Sequence, residues 1–214
     1  GPYVCFSTPE IKYVAWNDDF GPMNATSIVR FITMLDNQLS QNRDKHIVYV
    51  AGPGDRNLTN AAFLLGAFMI LTYNTPAEQI WGWLEKAGSR EFGKYKDSSR
   101  LPNKFRLTLM DCWSALERAK TLRWLCRPDK GDVWGALDPI EYDHYDNPLN
   151  GDMHVIIPDK LLAFRGPRHI NGPAEYRDED SGQRVFSPRY YLDIFHAMKV
   201  HTVVRLNQSC YDRR

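Results

Sequence analysis

The sequence predicts an α/β fold, a three-layer arrangement in which a sheet is flanked by helices on its faces. Three observations point there. Short β-branched runs such as Ile47 to Val50 alternate with longer segments whose apolar residues recur at helical spacing. Two of those segments open on proline with glutamate two residues later, a helix-start signature. A chain of 214 residues, 43% of them hydrophobic, is long enough to bury a substantial core.

Each element follows from its residues. Pro22 suits a first helical turn, and Ile28, Phe31, Ile32, Leu35 and Leu39 then trace one face, predicting a helix over 22–39. Ile47 to Val50 read as a buried strand, and Asn60 to Tyr73 as a helix apolar on most faces. Thr75-Pro76-Ala77-Glu78 reads as a capping box for a helix ending near Lys86, followed by a basic loop over 88–104. Phe105 to Leu125 predict a longer helix with Leu109, Cys112, Trp113, Leu116 and Ala119 facing inward. Asp138-Pro139-Ile140-Glu141 opens a short helix, and strands follow at 153–157 and 161–165. Residues 166–187 are rich in Gly, Pro and charge and read as an excursion; Ser187-Pro188 starts a further helix to about Lys199. Thr202 to Leu206 is again a strand. Eight residues after it cannot complete a sheet, so it is expected to open a second domain.

The bulk charge narrows the function. Lys and Arg number 27 against 26 Asp and Glu, a net charge of +1, which gives no global attraction to nucleic acid or an anionic membrane. The longest apolar run, Ala61 to Tyr73, is too short to span a bilayer. Cys5, Cys112, Cys126 and Cys210 lack C-x-x-C or metal-ligand spacing and read as reduced thiols of a cytoplasmic or nuclear protein. The N-x-S/T matches at Asn24, Asn57 and Asn207 are chance. Trp81, Trp83, Trp113, Trp124 and Trp134 are expected in core or interface; Trp81 and Trp83, two apart on a helix, cannot share a face.

The stretch HIVYVAGPGDRNLTNAAFLLGAFMIL, residues 46–71, has the strand–glycine loop–helix order of many phosphate cradles. It fits neither G-x-x-x-x-G-K-[ST] nor G-x-G-x-x-G, because Gly52 and Gly54 precede no Gly-Lys pair and Asn57 stands at the last glycine. A third cradle is His-Cys-x5-Arg, in which a thiolate attacks phosphorus while arginine and loop amides hold the equatorial oxygens.

Here the residues resemble a known family. DDFGPMN (18–24), TNAAFLLGAF (59–68), LTLMDC (107–112), EYDHYDN (141–147), NGDMHVIIPDKLLAFRGP (150–167) and HTVVRLNQSCYD (201–212) are similar to the N-terminal half of the mitotic-exit, cell-division-cycle-fourteen-type dual-specificity phosphatases. That family carries two phosphatase-like domains in tandem, of which the second is catalytic. The resemblance implies a dual-specificity-phosphatase-like sheet with a degenerate phosphate loop. It divides the chain into a non-catalytic domain over 1–165, a linker and connecting helix over 166–200, and the first strand of the catalytic domain over 201–214. With LLGAF (64–68) in the place of the helix after the catalytic loop, the arginine position falls on Asn60 and the nucleophile on Gly54. Neither has the chemistry: glycine offers no nucleophile, and asparagine no charged fork.

The resemblance further implies a parent that hydrolyses phosphoserine, phosphothreonine or phosphotyrosine through a cysteinyl-phosphate without metal or cofactor, while this chain alone is no enzyme. Its partners would be the catalytic domain of the same protein and phosphoproteins with a basic residue after the Ser-Pro site, with no nucleic acid or membrane among them. The implied locations are cytoplasmic and nuclear, with cytoskeleton and centrosome included for the parent. An acidic groove would receive the basic residue, and the matching carboxylates here are Asp143 and Asp146, with Asp18, Asp19 and Asp97 as further members. Residues 131–164 do carry seven carboxylates against the single cation Lys160. Asp143, His144 and Asp146 could be read as a metal cluster, but a solvated helix face is the simpler reading. The acidic loop at 175–180 has no assigned ligand, and His46, His154, His169, His196 and His201 read as structural. Two rival readings stand beside this: a free-standing pseudophosphatase that only binds proteins, and an unrelated enzyme whose 52–60 loop binds phosphate or nucleotide.

Overall fold

The structure, a computed structural model, describes residues 1–15, 18–88, 92–98, 106–129, 131, 133–157 and 159–211. The chain divides into two compact units, Gly1–Leu137 and Asp138–Arg214. The expected domain boundary at 165 therefore falls inside the second unit.

The first unit runs β1 (Tyr3–Phe6), α1 (Ala25–Gln41), β2 (His46–Tyr49), α2 (Asp55–Tyr73), α3 (Ala77–Lys86) and α4 (Leu109–Thr121). β1 and β2 pair in parallel, with Tyr3 opposite His46 and Phe6 opposite Tyr49. Pro22 lies before α1, not in it: the cap is Asn24, whose side chain accepts from the Ser27 amide at 2.9 Å. Asn24 is thus a helix cap, outside the helix body. Ile28, Phe31, Ile32 and Leu35 are buried along the predicted stripe, while Leu39 stays exposed.

α3 begins differently from its expected capping box. Its cap is Pro76, with no side-chain cap bond, and Thr75 does not fill that role. The first amide is taken instead by a distant residue, Glu117 of α4, whose Oε1 accepts from Ala77 N at 2.8 Å. Three residues further along α4, Lys120 Nζ donates to the carbonyls of Ile70 and Leu71 at 2.6 and 3.0 Å. One face of α4 so secures both sides of the α2–α3 corner. α4 itself is capped by a reciprocal pair, with Thr108 Oγ1 accepting from Asp111 N and Asp111 accepting from the Thr108 amide. It ends at Thr121, before Leu125, and its expected start at Phe105 lies outside the described residues.

Trp113 is fully buried and donates its indole N–H to the Phe63 carbonyl at 3.1 Å. It lies over Gly66, where an added Cβ would meet the indole at 2.2 Å. The missing side chain therefore permits the close α2–α4 contact. Trp134 is buried as well, and of the α3 pair Trp81 packs on the core while Trp83 is exposed, as two-residue helical spacing requires.

The second unit runs α5 (Pro139–Asp146), β3 (Met153–Ile157), β4 (Leu161–Phe164), β5 (Tyr176–Asp178), β6 (Arg184–Phe186), a 3-10 turn (Pro188–Tyr191) and α6 (Leu192–Ala197). Asp138 caps α5 by accepting from the Ile140 and Glu141 amides at 2.9 and 3.2 Å. β3 and β4 form an antiparallel hairpin with an irregularity between Val155 and Ile157. Within the expected excursion, β5 and β6 make a second hairpin. There Arg184 bonds Asp178 through two nitrogens and stacks 3.9 Å over Tyr176. Met153, Phe186 and Tyr191 form the small core, and the Tyr191 hydroxyl donates to the Gly151 carbonyl at 2.9 Å.

Two sequence expectations are corrected. Among the described residues the strands form three separate two-stranded sheets, not one sheet covered on both faces. Residues 202–206 carry strand-forming side chains but make no strand; Val204 and Leu206 are 71% and 95% exposed. An isolated run of β-branched residues has no ladder to join, so propensity alone does not make it a strand.

Candidate functional site

The glycine loop is shorter than its sequence suggests. Helix α2 starts at Asp55, five residues before the expected Asn60, so the first turns of the helix occupy the interval between Gly54 and Asn60. Gly54 is the cap residue at φ 90°, a conformation that disfavours other side chains. Asn60 is buried and fully used: Nδ2 donates to the Gly21 carbonyl at 3.2 Å, and Oδ1 accepts from Tyr95 at 3.0 Å. Burial pushes the Tyr95 phenol far above its ordinary range, so it stays a donor to Asn60. Asn60 is a core bracket tying α2 to the chain around 21 and 95.

Three of the expected groove carboxylates sit in this first unit. Asp18 accepts from Lys96 at 2.5 Å and Arg56 at 2.9 Å, and the two cations hold its carboxyl below the usual carboxylate range. Arg56 also stacks 5.5 Å over Phe20. Asp19 accepts from the Tyr13 hydroxyl at 2.5 Å; burial first, then this carboxylate, pushes Tyr13 up to about 12. Asp97 is exposed and adjoins Lys96, whose backbone bridges Phe20. Asp18 and Asp19 are thus engaged in local pairs.

Asp143 and Asp146 lie on α5 in the second unit. Asp146 Oδ1 stands 3.5 Å from His154 Nδ1, and Asp152 Oδ1 3.9 Å from His154 Nε2. The Tyr142 ring lies 5.6 Å from the His154 ring; burial, then Asp146 and Asp143, push its phenol up to about 12. His144, on the same helix, faces Asn150 at 3.4 Å. Among the described residues no group of three or more His, Cys, Asp or Glu side chains is arranged to hold a metal. Asp132, part of the acidic run, lies outside the described residues.

The sequence reading passed over one chemical signal. Cys112 and Arg118 have the Cys-x5-Arg spacing, the one instance in the chain. Both lie inside α4, where six residues advance about 9 Å and turn the side chains to different faces. Cys112 is buried, and burial, then Asp111, push its thiol up to about 11. A nucleophilic cysteine needs a shift in the opposite direction. His154 was passed over for a different reason: nothing in its own neighbourhood in sequence places it between two carboxylates.

With this geometry in hand, the comparisons with known proteins identify the chain. The family described as dual specificity protein phosphatase, N-terminal half, matches residues 2–119. The chain belongs to this family. It is similar to the dual specificity protein phosphatase CDC14C of Homo sapiens, 30% identical over 207 residues, covering 96% of this chain and 43% of the relative. The tyrosine-protein phosphatase cdc-14 of Caenorhabditis elegans is 30% identical over 218 residues, covering 98% of this chain and 29% of the relative. The tyrosine-protein phosphatase CDC14 homolog of Schizosaccharomyces pombe is 29% identical over 220 residues, covering all of this chain and 39% of the relative. The chain therefore spans about two fifths of the first of these relatives.

For a member of the dual-specificity phosphatase N-terminal family, the site is defined by what its side chains do locally. Gly54 and Asn60 serve helix start and core. Cys112 and Arg118 serve a helix. In the second unit Asp146 of α5 and Asp152 of the loop before β3 both face His154. No helix among the described residues is long and apolar enough to cross a membrane.

Proposed function

We propose that this chain is the non-catalytic, substrate-recognising N-terminal domain of a dual-specificity protein phosphatase. The parent hydrolyses phosphoserine, phosphothreonine or phosphotyrosine through a cysteinyl-phosphate, and its nucleophile, arginine and general acid lie outside this chain. The observation that carries the reading is the family match over 2–119. It is supported by the unsuitability of the chain's own Cys-x5-Arg spacing, with a buried thiol of raised pKa inside a helix. The α5 carboxylates Asp143 and Asp146 receive a basic residue that follows the Ser-Pro site of the phosphoprotein. Asp18, Asp19 and Asp97, in the first unit, are secondary candidates for contact with the basic residue. The catalytic domain of the same protein is the structural partner.

Two experiments test this. The 214-residue chain should not hydrolyse p-nitrophenyl phosphate or phosphopeptides; turnover by this chain that a thiol alkylator abolishes would overturn the non-catalytic role. In the intact phosphatase, Asp143→Lys with Asp146→Lys should reduce the preference for peptides carrying lysine after the Ser-Pro site. Unchanged preference would remove these residues from recognition. Because each exposed carboxylate is worth about 0.2–1 kcal/mol, the double charge reversal is the informative change.

A further inference from the structure

We infer that Asn171 is a site of spontaneous covalent modification in the folded protein. With Gly172 it deamidates through a cyclic imide to aspartate and isoaspartate, while the other Asn-Gly pair, Asn150-Gly151, is held back by its packing. The sequence contains these two Asn-Gly pairs. Glycine in the second place obstructs ring closure least, because it has no Cβ beside the attacking amide.

The reaction needs only the chain and water. The Gly172 backbone nitrogen adds to Asn171 Cγ, so a C–N bond forms. The Cγ–Nδ2 bond then breaks, and Nδ2 leaves as ammonia with the proton that the Gly172 amide gives up. Water opens the imide at either carbonyl. Opening at the side-chain carbonyl gives aspartate; opening at the backbone carbonyl gives isoaspartate, with one extra methylene in the main chain. Either product adds a negative charge to the loop that leads into the β5–β6 hairpin.

The two pairs stand in opposite surroundings within the second unit. The loop that carries Asn171 is fastened at its ends. The Arg168 amide donates to the Phe186 carbonyl, the His169 amide to the Cys210 carbonyl, and the Ser187 amide to the Glu175 carbonyl, each at 2.8 Å. Between these ties Asn171 and Gly172 are exposed, and a Cβ added at Gly172 would meet nothing within 4 Å. Among the described residues the Gly172 amide makes no backbone hydrogen bond, so the nucleophile is not held elsewhere. The His169 ring bonds Asn171 Oδ1 through Nε2 at 3.0 Å. An amide oxygen only accepts, so the ring N–H donates, and it does so to the atom that gains charge as the ring closes.

Asn150-Gly151 has the same residues without that freedom. The Asn150 amide donates to the Asn147 carbonyl at 2.8 Å, and the Gly151 carbonyl accepts from the Tyr191 hydroxyl at 2.9 Å. Gly151 is buried, and a Cβ added to it would lie 3.2 Å from the Tyr190 ring and 3.5 Å from that of Tyr191. Closing an imide there swings the peptide away from Tyr191, so the reaction must wait for local opening.

The test ages the intact phosphatase in mildly alkaline buffer. Peptide mass spectrometry follows the amide-to-acid mass gain at both pairs, and an isoaspartyl methyltransferase labels the isoaspartate. In the folded protein, conversion at Asn171 should outrun that at Asn150 by about ten-fold or more, because each of the two hydrogen bonds at 150–151 slows opening several-fold. In urea, with the packing gone, the two pairs should convert at similar rates. Asn171→Gln, which closes a larger ring slowly, should remove most of the methyl label from the folded protein, and Asn150→Gln little of it. Equal conversion at both pairs in the folded protein, or faster conversion at Asn150, overturns the inference. So does a preference for Asn171 that persists undiminished in urea, because it would then belong to the neighbouring sequence and not to the fold.

Discussion

Replacing Gly66 by alanine should destabilise the first unit, although glycine-to-alanine in a helix normally stabilises by about 1 kcal/mol. Gly66 lies mid-helix in α2 and is buried. A Cβ built there would stand 2.2 Å from Trp113 Cε2, 2.3 Å from Nε1 and 2.5 Å from Cζ2. These distances are deep inside van der Waals contact, and the opposing atoms belong to a rigid, fully buried ring. Two costs follow. Overpacking a well-filled core costs about 1–3 kcal/mol. Displacing the indole breaks its bond to the Phe63 carbonyl and leaves a buried N–H without a partner, a further cost of about 1–3 kcal/mol. Against the propensity gain, the net loss is roughly 1–5 kcal/mol.

Gly82 provides the internal control. It is also helical, in α3, but an added Cβ there meets nothing within 4 Å. Gly82→Ala should therefore stabilise by about 0.5–1 kcal/mol. Urea unfolding followed by circular dichroism gives both midpoints, with the slope checked for an unchanged transition. Opposite signs are expected at the two glycines. A Gly66→Ala variant as stable as the unaltered chain would refute the account of the α2–α4 contact, and loss of stability at Gly82 would refute the propensity argument.

Other perturbations have clear signs. Lys120→Met keeps the stem but removes the donor to the Ile70 and Leu71 carbonyls; urea unfolding should show a loss of about 1–2 kcal/mol. Asp138→Ala removes the cap of α5 and should cost about 1 kcal/mol in the second unit, with faster amide exchange at Ile140 and Glu141. Tyr13 and Tyr142 rise from 10.0 to about 12, and Cys112 from 9.0 to about 11. Their folded values lie above the unfolded ones, so this stability is complete below about pH 9 and is lost progressively as pH climbs to about 12; unfolding midpoints measured across that window should fall. Native alkylation with iodoacetamide should modify the exposed Cys5 and Cys210 while Cys112 reacts only on unfolding, read by peptide mass spectrometry.

How much was legible in the sequence depended on the range of the interaction. Local signals read well: the stripe Ile28, Phe31, Ile32, Leu35 and the Asp138-Pro139 start are written in residues three or four apart. Boundaries set by distant partners did not. α3 takes its first cap from Glu117, forty positions away, so the capping-box reading of Thr75 named the right helix and the wrong mechanism. Asn60 reads as a lost arginine in sequence, but Gly21 and Tyr95 define what it does. Thr202 to Leu206 show the reverse failure, strong strand propensity with no neighbouring strand. Pairing of His154 with Asp146 and Asp152 depends on the return of the chain from α5 into β3, which no local pattern announces.

A His-Cys-x5-Arg phosphate cradle requires a spacing and a shape together, and neither the 54–60 nor the 112–118 segment combines them. At Gly54 to Asn60 the strand, the glycine and the following helix persist, but the helix begins at Asp55 and winds up the residues that would have to arch around an anion. Its amides from Leu58 onward turn inward to helical carbonyls, the first of them to Gly54. At Cys112 to Arg118 the spacing persists, but helical rise and twist send the two side chains apart, and burial keeps the thiol protonated. Placing cysteine and arginine at 54 and 60 would therefore not create turnover. Gly54→Cys would force a side chain onto a backbone at φ 90°, and Asn60→Arg would break the bracket to Gly21 and Tyr95 and bury a cation. The double variant should lose stability and show no turnover of p-nitrophenyl phosphate; a stable, active double variant would mean that the loop can adopt a catalytic shape.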